Sequence, residues 1–213
     1  MSIAGYLHEF AVRCGPVLGQ KVETSITLRF RGLAVRAASS TAASGRCDQV
    51  EARTGVGPCI DAMESGEIQN VPSVADAEQW PPWQGAAVSE GFVTTVALPA
   101  QVVADMQIAL NLYARSPMEW TEELLKRLNG YAELAAASVR LHLDHAVASD
   151  GLEANPPSDA QVVAQAIGAI MHLNQCGVDD AQALIEQAAQ SREVSQREVA
   201  RTILSALVPD SGI

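Results

Sequence analysis

The segment 149–159 (SDGLEANPPSD) constrains the organisation of this chain more than any other feature. It combines a glycine with two adjacent prolines, and these residues cannot continue a helix. Segments with strand-like alternation precede it, whereas only helical periodicity follows it. The sequence therefore predicts two domains, residues 1–148 and 158–213, joined by a linker at 149–157.

The first domain has the pattern of an antiparallel sheet with helices on its faces. Val22–Phe30 alternates apolar and polar residues, as in a half-buried strand, and Leu33–Ala38 is its predicted hairpin partner across Arg31-Gly32. Further strands are predicted at Ile68–Val71, Phe92–Pro99 and Asp105–Ala114. Short helices are predicted at Cys59–Glu64 and Trp83–Ser89, and a loop at Ser39–Gly45. This mixture predicts an α+β domain.

Two longer helices frame that domain. The first is predicted at Ser2–Leu18, and the second, from Glu119 to about Val147, is rich in alanine and leucine. The second helix is longer than a small sheet needs to cover one face. A long apolar helix at the end of a domain is often a dimerisation helix, so we expect a homodimer.

The second domain has three helical segments with readable starts. Ser158 to Gln161 and Ser195 to Glu198 both have the capping-box pattern. Gly177 is the expected residue after the end of the first helix, and Asp179 is the expected N-cap of the second. Three short amphipathic helices must pack on one another to bury their apolar sides, which predicts an all-α module.

Composition excludes several classes of protein. The longest apolar runs are too short for a transmembrane helix, and the N-terminus lacks the features of a signal peptide, so we expect a cytoplasmic protein without membrane contact. The four cysteines form no CxxC pair, so a metal site is not expected and each is predicted to be reduced. Nucleotide-binding, GxSxG and HExxH motifs are missing, so no catalytic residues are assigned and no enzyme is predicted.

The net charge of −11 argues against general attraction to nucleic acid. Residues 1–150 carry 11 basic and 17 acidic side chains, and residues 151–213 carry 3 and 8. Any binding to RNA must therefore rest on a local patch or on base stacking.

The run from Gly55 to Ala62 (GVGPCIDA), together with Trp80-Pro81 and the strand ALNLYA, resembles the GAF domains of actinobacterial sensor proteins. The resemblance covers roughly residues 1–145. It implies a sensor of a small molecule or of another protein, and its predicted pocket residues are Cys59, Asp61, Trp80 and Trp83. No feature selects a particular ligand, and the sequence requires no cofactor. Cys59 is either a redox sensor or, as we favour, a small buried side chain.

The second domain resembles the ANTAR domain through Ala166, Gly168, Ile170 and Met171, and through later positions that include Ala181, Leu184 and Val199. The resemblance implies a three-helix module that binds RNA hairpins and prevents transcription termination. The candidate RNA-binding residues are Gln165, Gly168, Met171, His172, Arg192, Arg197 and Arg201. Two positions depart from the family pattern. Ile167 replaces a common lysine, and Glu186 stands where arginine is frequent.

Most of these residues could also have a purely structural role in place of RNA contact. Gly168 and Met171 suit helix packing, and His172 suits a structural role near a helix end. Arg197 and Arg201 could pair with Glu193 and Glu198 on a solvated surface.

We therefore favour a signal-responsive, RNA-binding antitermination regulator. The first alternative is a dimeric sensor or protein-interaction module whose RNA-binding surface has degenerated, as Ile167, Glu186 and the acidic charge suggest. A more distant alternative is a GAF-fold methionine sulfoxide reductase that uses a cysteine nucleophile.

Overall fold

A computed structural model describes residues 3–149, 157–191 and 193–207 of the chain. A five-stranded antiparallel sheet forms its centre, with strand order β2-β1-β5-β4-β3. The strands are β1 (Glu23–Phe30), β2 (Leu33–Ser39), β3 (Gln69–Val71), β4 (Thr94–Val103) and β5 (Met106–Ala114). Each strand predicted from the sequence is present, with ends that differ by a few residues. β2 and β3 are the edge strands.

The hairpin between β1 and β2 turns through Arg31 and Gly32, which have φ values of 52° and 87°. Positive φ at both central residues is the mark of a tight two-residue hairpin turn, as the sequence predicts. The half-buried character predicted for β1 is wrong. Ile26 faces one side of the sheet and Thr27 the other, and both are fully buried because helices cover both faces.

Two helices lie on one face of the sheet and three on the other. Helices α1 (Ile3–Leu18) and α5 (Glu122–Ser149) pack together on the first face. The opposite face is covered by α2 (Ala42–Thr54), α3 (Pro58–Ser65) and α4 (Pro81–Ser89), with a 3-10 turn at Val74–Asp76. This is the α+β arrangement that the sequence predicts for the first domain.

Helix α2 begins inside the segment predicted to be a loop. Thr41 is its N-cap and accepts a hydrogen bond from the Ser44 amide. The small residues that suggest a loop serve a different purpose here, because they let the helix approach the sheet closely. A Cβ atom added at Gly45 would lie 2.8 Å from the Ser39 hydroxyl.

The second domain consists of α6 (Asp159–Asn174), α7 (Val178–Gln190) and α8 (Gln196–Leu207). The capping box at Ser158 and Gln161 is confirmed. The predicted role of Gly177 is wrong: Gln175, which has a φ of 51°, is the C-cap of α6, and Gly177 is instead the N-cap of α7. Asp179 therefore lies in the first turn of α7, where its negative charge interacts favourably with the helix dipole.

The apolar sides of α6, α7 and α8 do not form a separate core. Buried residues of these helices, such as Ile170 and Ile203, belong to the same contiguous cluster as Leu7 of α1 and Leu128 of α5. The module packs against α1, α2, α5 and the edge strand β2. In this arrangement the two parts of the chain share one hydrophobic core.

Candidate functional site

Three of the predicted RNA-binding residues form an exposed line along α6. Gln165, Gly168 and His172 are spaced by three and four residues, so they lie on one side of the helix, and all three are exposed. Met171 is half-buried and packs against the hydrophobic cluster. Helix packing is the alternative to RNA contact, and of these four residues only Met171 packs in this way.

The predicted cations lie on α8. Arg197 forms an ion pair with Asp159 at the start of α6, rather than with Glu193. Arg201 is exposed one turn further along the helix. Glu198 pairs with Arg31 of the first domain at 3.2 Å. Arg192 lies outside the described residues.

The two departures from the family pattern have different surroundings. Ile167 is partly buried and packs against the hydrophobic cluster, so an isoleucine suits this position. Glu186 accepts a hydrogen bond from the Gln182 side chain at 2.9 Å, on the partly exposed side of α7. The module therefore accommodates both residues without strain in its packing.

The predicted sensor residues cluster around α3 and α4. The Trp80 indole donates a hydrogen bond to Asp61 at 2.8 Å, and its ring meets Trp83 edge-on at 5.8 Å. Trp83 is fully buried, so it belongs to the core and not to a surface lid. Cys59 is also fully buried, in a neighbouring apolar cluster under α3.

A buried polar cluster that the sequence analysis missed lies between these apolar clusters and the sheet. Its centre is Asp48 of α2, which is fully buried. The Asp48 carboxylate accepts hydrogen bonds from four side chains, which are Ser25 at 2.7 Å, Thr27 at 2.6 Å, Asn111 at 2.8 Å and Tyr113 at 2.9 Å. Burial raises the pKa of Asp48, and these four donors oppose that rise.

Glu51 lies one turn further along α2 and is equally buried. Its Oε2 atom accepts the Cys59 amide at 2.7 Å, at the N-terminus of α3, while its Oε1 atom has no hydrogen-bond partner. Burial and the nearby Asp48 charge raise the Glu51 pKa well above its usual value. Of the two buried carboxyl groups, Asp48 therefore bonds to the sheet, and Glu51 bonds to the start of α3 at the predicted sensor residue Cys59.

The sequence contained a partial signal for this cluster. Asn111 and Tyr113 alternate with apolar residues in β5, which is the pattern of a polar strand face. Asp48 and Glu51 are three residues apart, which is helical spacing. No helix is predicted from the sequence over the residues of α2, so the two signals are not connected by the sequence alone.

The described cysteines are poor candidates for redox or nucleophilic chemistry. Cys14, Cys47 and Cys59 are buried, and burial raises the pKa of each thiol. The position of Cys59 at a helix N-terminus would lower its pKa, but burial and the neighbouring Glu51 charge outweigh that effect. At neutral pH these side chains are therefore thiols, whereas the reactive form is the thiolate.

Three further features concern the part of the chain that the structure describes. In that part of the chain, no group of three or more potential ligand side chains could hold a metal ion. None of the described helices is both long and apolar enough to cross a membrane. An open groove of about 460 Å³ runs between α5 and the turn after α3, past Ile68, Pro99 and Leu125. None of the four predicted sensor residues lines it.

Comparison with known proteins identifies the C-terminal module. The ANTAR domain family matches residues 158–204, which covers α6, α7 and most of α8. ANTAR domains belong to RNA-binding antitermination regulators. No curated protein matches the chain.

Three solved structures are among those similar to this chain. A domain from a two-component sensor histidine kinase protein of Sinorhizobium meliloti 1021 has 15% identity and a TM-score of 0.54, over 68% of this chain and 96% of that one. SdiA in complex with octanoyl-rac-glycerol has 12% identity and a TM-score of 0.51, over 97% of this chain and 89% of that one. The GAF domain region of a Geobacter sulfurreducens PCA membrane protein has 15% identity and a TM-score of 0.48, over 65% and 98%.

The chain therefore joins an α+β domain to a three-helix module that matches the ANTAR domain family. The fold class predicted from the sequence is confirmed.

Proposed function

We propose that this chain is a signal-responsive, RNA-binding regulator of transcription termination. The observation that carries the proposal is the ANTAR match at residues 158–204. It is supported by the exposed line of Gln165, Gly168 and His172 on α6, where side chains can meet RNA bases and phosphates. Such a regulator acts on a nascent transcript, and hence in the cytoplasm.

Arg197 and Arg201 are the proposed phosphate contacts. They lie on one side of α8, and Arg197 reaches the start of α6 through its ion pair with Asp159. RNA must compete with Asp159 for Arg197, which favours selective and salt-sensitive binding over general attraction to nucleic acid. This fits a protein with a net charge of −11.

The N-terminal domain is the proposed sensor, and a homodimer is the proposed active form. The GAF resemblance supports the sensor role, as does the link from the Trp83 indole to the buried Asp48 through the Tyr113 hydroxyl. The length of α5 supports a dimer, which would present two ANTAR modules to RNA. The signal itself is a small molecule or another protein.

The first prediction concerns RNA hairpins taken from leaders that precede transcription terminators. We expect the purified full chain to bind at least one hairpin, with an affinity that falls as salt rises. The double variant Arg197→Ala/Arg201→Ala should bind more weakly and should lower the slope of log affinity against log salt by about two, since each lost phosphate contact removes about one released counterion. Fluorescence anisotropy at several salt concentrations measures both quantities.

The matched control is Arg13→Ala/Lys126→Ala, which also removes two exposed cations. Each of them pairs with a glutamate four residues away on its own helix. An equal loss of RNA affinity in both double variants would show that net charge governs binding, and would contradict a specific RNA-binding surface on α8. Failure of the folded dimer to bind any hairpin, with or without a cell extract as a source of signal, would favour a protein-interaction module.

A further inference from the structure

Besides the shared hydrophobic core, one buried asparagine of the C-terminal module bonds to the backbone of the first domain. Asn174, the last residue of α6, is fully buried at the junction of the two domains. Its side-chain amide donates to the Ala34 carbonyl of β2 at 3.1 Å, and its Oδ1 atom accepts the Arg36 amide of the same strand at 3.3 Å. Both hydrogen-bonding atoms of one side chain are therefore used on one strand.

These two bonds occupy the free edge of the sheet. β2 is an edge strand, so its outward amides and carbonyls have no neighbouring strand. Asn174 bridges a carbonyl and an amide two residues apart, as the N–H and C=O of a single residue in an added parallel strand would. An apolar side chain at this position would leave both backbone groups buried without partners, which proteins rarely tolerate.

Side chains of the first domain also cap the end of α6. The Leu173 carbonyl, one of the last carbonyls of that helix, accepts bonds from the Arg36 guanidinium at 3.3 Å and the Gln49 amide at 3.1 Å. The Arg36 cation lies at the negative end of the helix dipole, where positive charge is stabilising. At the other end of the junction, Arg31 pairs with Glu198 of α8.

The junction is close to the buried polar cluster. Gln49 follows Asp48 directly on α2, so one helix carries both the centre of that cluster and a partner of α6. The Arg36 cation is near enough to Asp48 for the two charges to interact. A displacement of α2 within the sensor domain therefore displaces a residue that holds the module.

We propose that Asn174 and edge strand β2 form a latch, and that the latched state restrains RNA binding by the module. The proposal rests on the RNA-binding function proposed above. Two observations support the restraint. The docked module lies against a domain with an excess of negative charge, since residues 1–150 carry 17 acidic and 11 basic side chains, and this charge repels a polyanion. Met171, a candidate RNA contact, is half-buried in the docked arrangement.

The test uses full-length Asn174→Leu, which keeps the approximate size of the side chain and removes both hydrogen bonds. We expect the Arg36 amide to exchange its hydrogen at least tenfold faster than in the wild type, as measured by amide exchange with NMR detection. We also expect affinity for the hairpins that the wild type binds to rise at least threefold. Gln49→Leu should change both readouts in the same direction, and it lies in the sensor domain, where it leaves the RNA-binding surface unaltered.

Gln182→Leu is the control, because this exposed glutamine bonds only within α7, to Glu186. It should leave both readouts unchanged. Unchanged exchange at Arg36 in both latch variants would overturn the latch. Faster exchange with unchanged or weaker RNA binding would overturn the restraint. If neither wild type nor variants bind RNA, the proposed function and the restraint both fail, while the exchange rates still decide whether the latch exists.

Discussion

Asp48 and Glu51 illustrate how two similar side chains on one helix differ in their environment. Asp48 accepts four side-chain hydrogen bonds, which compensate its carboxylate for the loss of water. Glu51 accepts the Cys59 amide through one oxygen, and its other oxygen has no partner. An uncompensated buried carboxylate is costly, so Glu51 is the group that holds a proton most readily.

This difference predicts a pH dependence of stability. Because the Glu51 pKa is raised, the folded protein keeps this proton at pH values at which the unfolded chain has lost it. The free energy of unfolding should therefore fall as pH rises above 4.5, the ordinary glutamate value, with a Glu51 contribution of about 1.4 kcal/mol per pH unit until the folded pKa is reached. Urea denaturation between pH 5 and pH 8 should show a flatter profile for Glu51→Gln than for the wild type.

Glu67→Gln is the matched control for this experiment, since Glu67 is an exposed glutamate on the turn after α3. Its profile should run parallel to that of the wild type. Identical slopes for Glu51→Gln and wild type would mean that Glu51 is ionised in the folded protein, and the role assigned to its burial would be wrong.

At the scale of elements, α5 has an apolar stripe that the described chain leaves uncovered. Leu134 and Leu141 are each 57% exposed, and the exposed Ala137 lies between them on the same side of the helix. The opposite side of α5 packs on the sheet and on α1. A helix that is apolar on both sides suits a position between a domain and a second copy of the chain.

We accordingly predict that Leu134→Ser/Leu141→Ser weakens the homodimer at least tenfold, because both substitutions remove apolar area from the interface. Sedimentation equilibrium over a range of concentrations measures the dissociation constant. Val88→Ser is the control, because Val88 of α4 is similarly exposed, at 52%, on the other face of the sheet. A dimer that survives the double substitution, or a wild-type protein that is monomeric throughout, contradicts the role of α5.

At the scale of the whole molecule, the two domains share one hydrophobic cluster instead of meeting through a thin polar contact. Residues that are far apart in sequence complete this cluster, with α8 packing on both α1 and α5. Each domain buries apolar surface of the other, so the unfolding of one domain exposes apolar surface of the other. Such coupling favours a single cooperative unfolding transition.

The three tryptophans, Trp80, Trp83 and Trp120, all lie in the first domain, so their fluorescence reports on that domain alone. Circular dichroism reports on the helices of both domains. We predict coincident thermal midpoints for the two signals in the wild type. In Asn174→Leu we predict that part of the circular dichroism signal is lost at a lower temperature than the fluorescence signal. Separate midpoints in the wild type would show that the domains unfold independently.

Local signals in the sequence determined most of the elements. The alternation in β1 and β5, the Arg31-Gly32 turn and the capping box at Ser158 each depend on residues a few positions apart, so they can be read along the chain. The same holds for the ANTAR resemblance, whereas the domain boundary stays a prediction, because most of the predicted linker at 149–157 lies outside the described residues. The end of α6 was mispredicted because Gln175, rather than a glycine, adopts the left-handed conformation.

Only the tertiary structure decided the two polar sites. Asp48 is held by residues of β1 and β5, and Tyr113 is 65 positions away from it. Asn174 bonds to Ala34, which is 140 positions away. Nothing in the neighbouring sequence distinguishes Asp48 or Asn174 from a polar residue on a solvated helix. Their roles follow from burial, which obliges each of them to find hydrogen-bond partners wherever the fold brings donors and acceptors together.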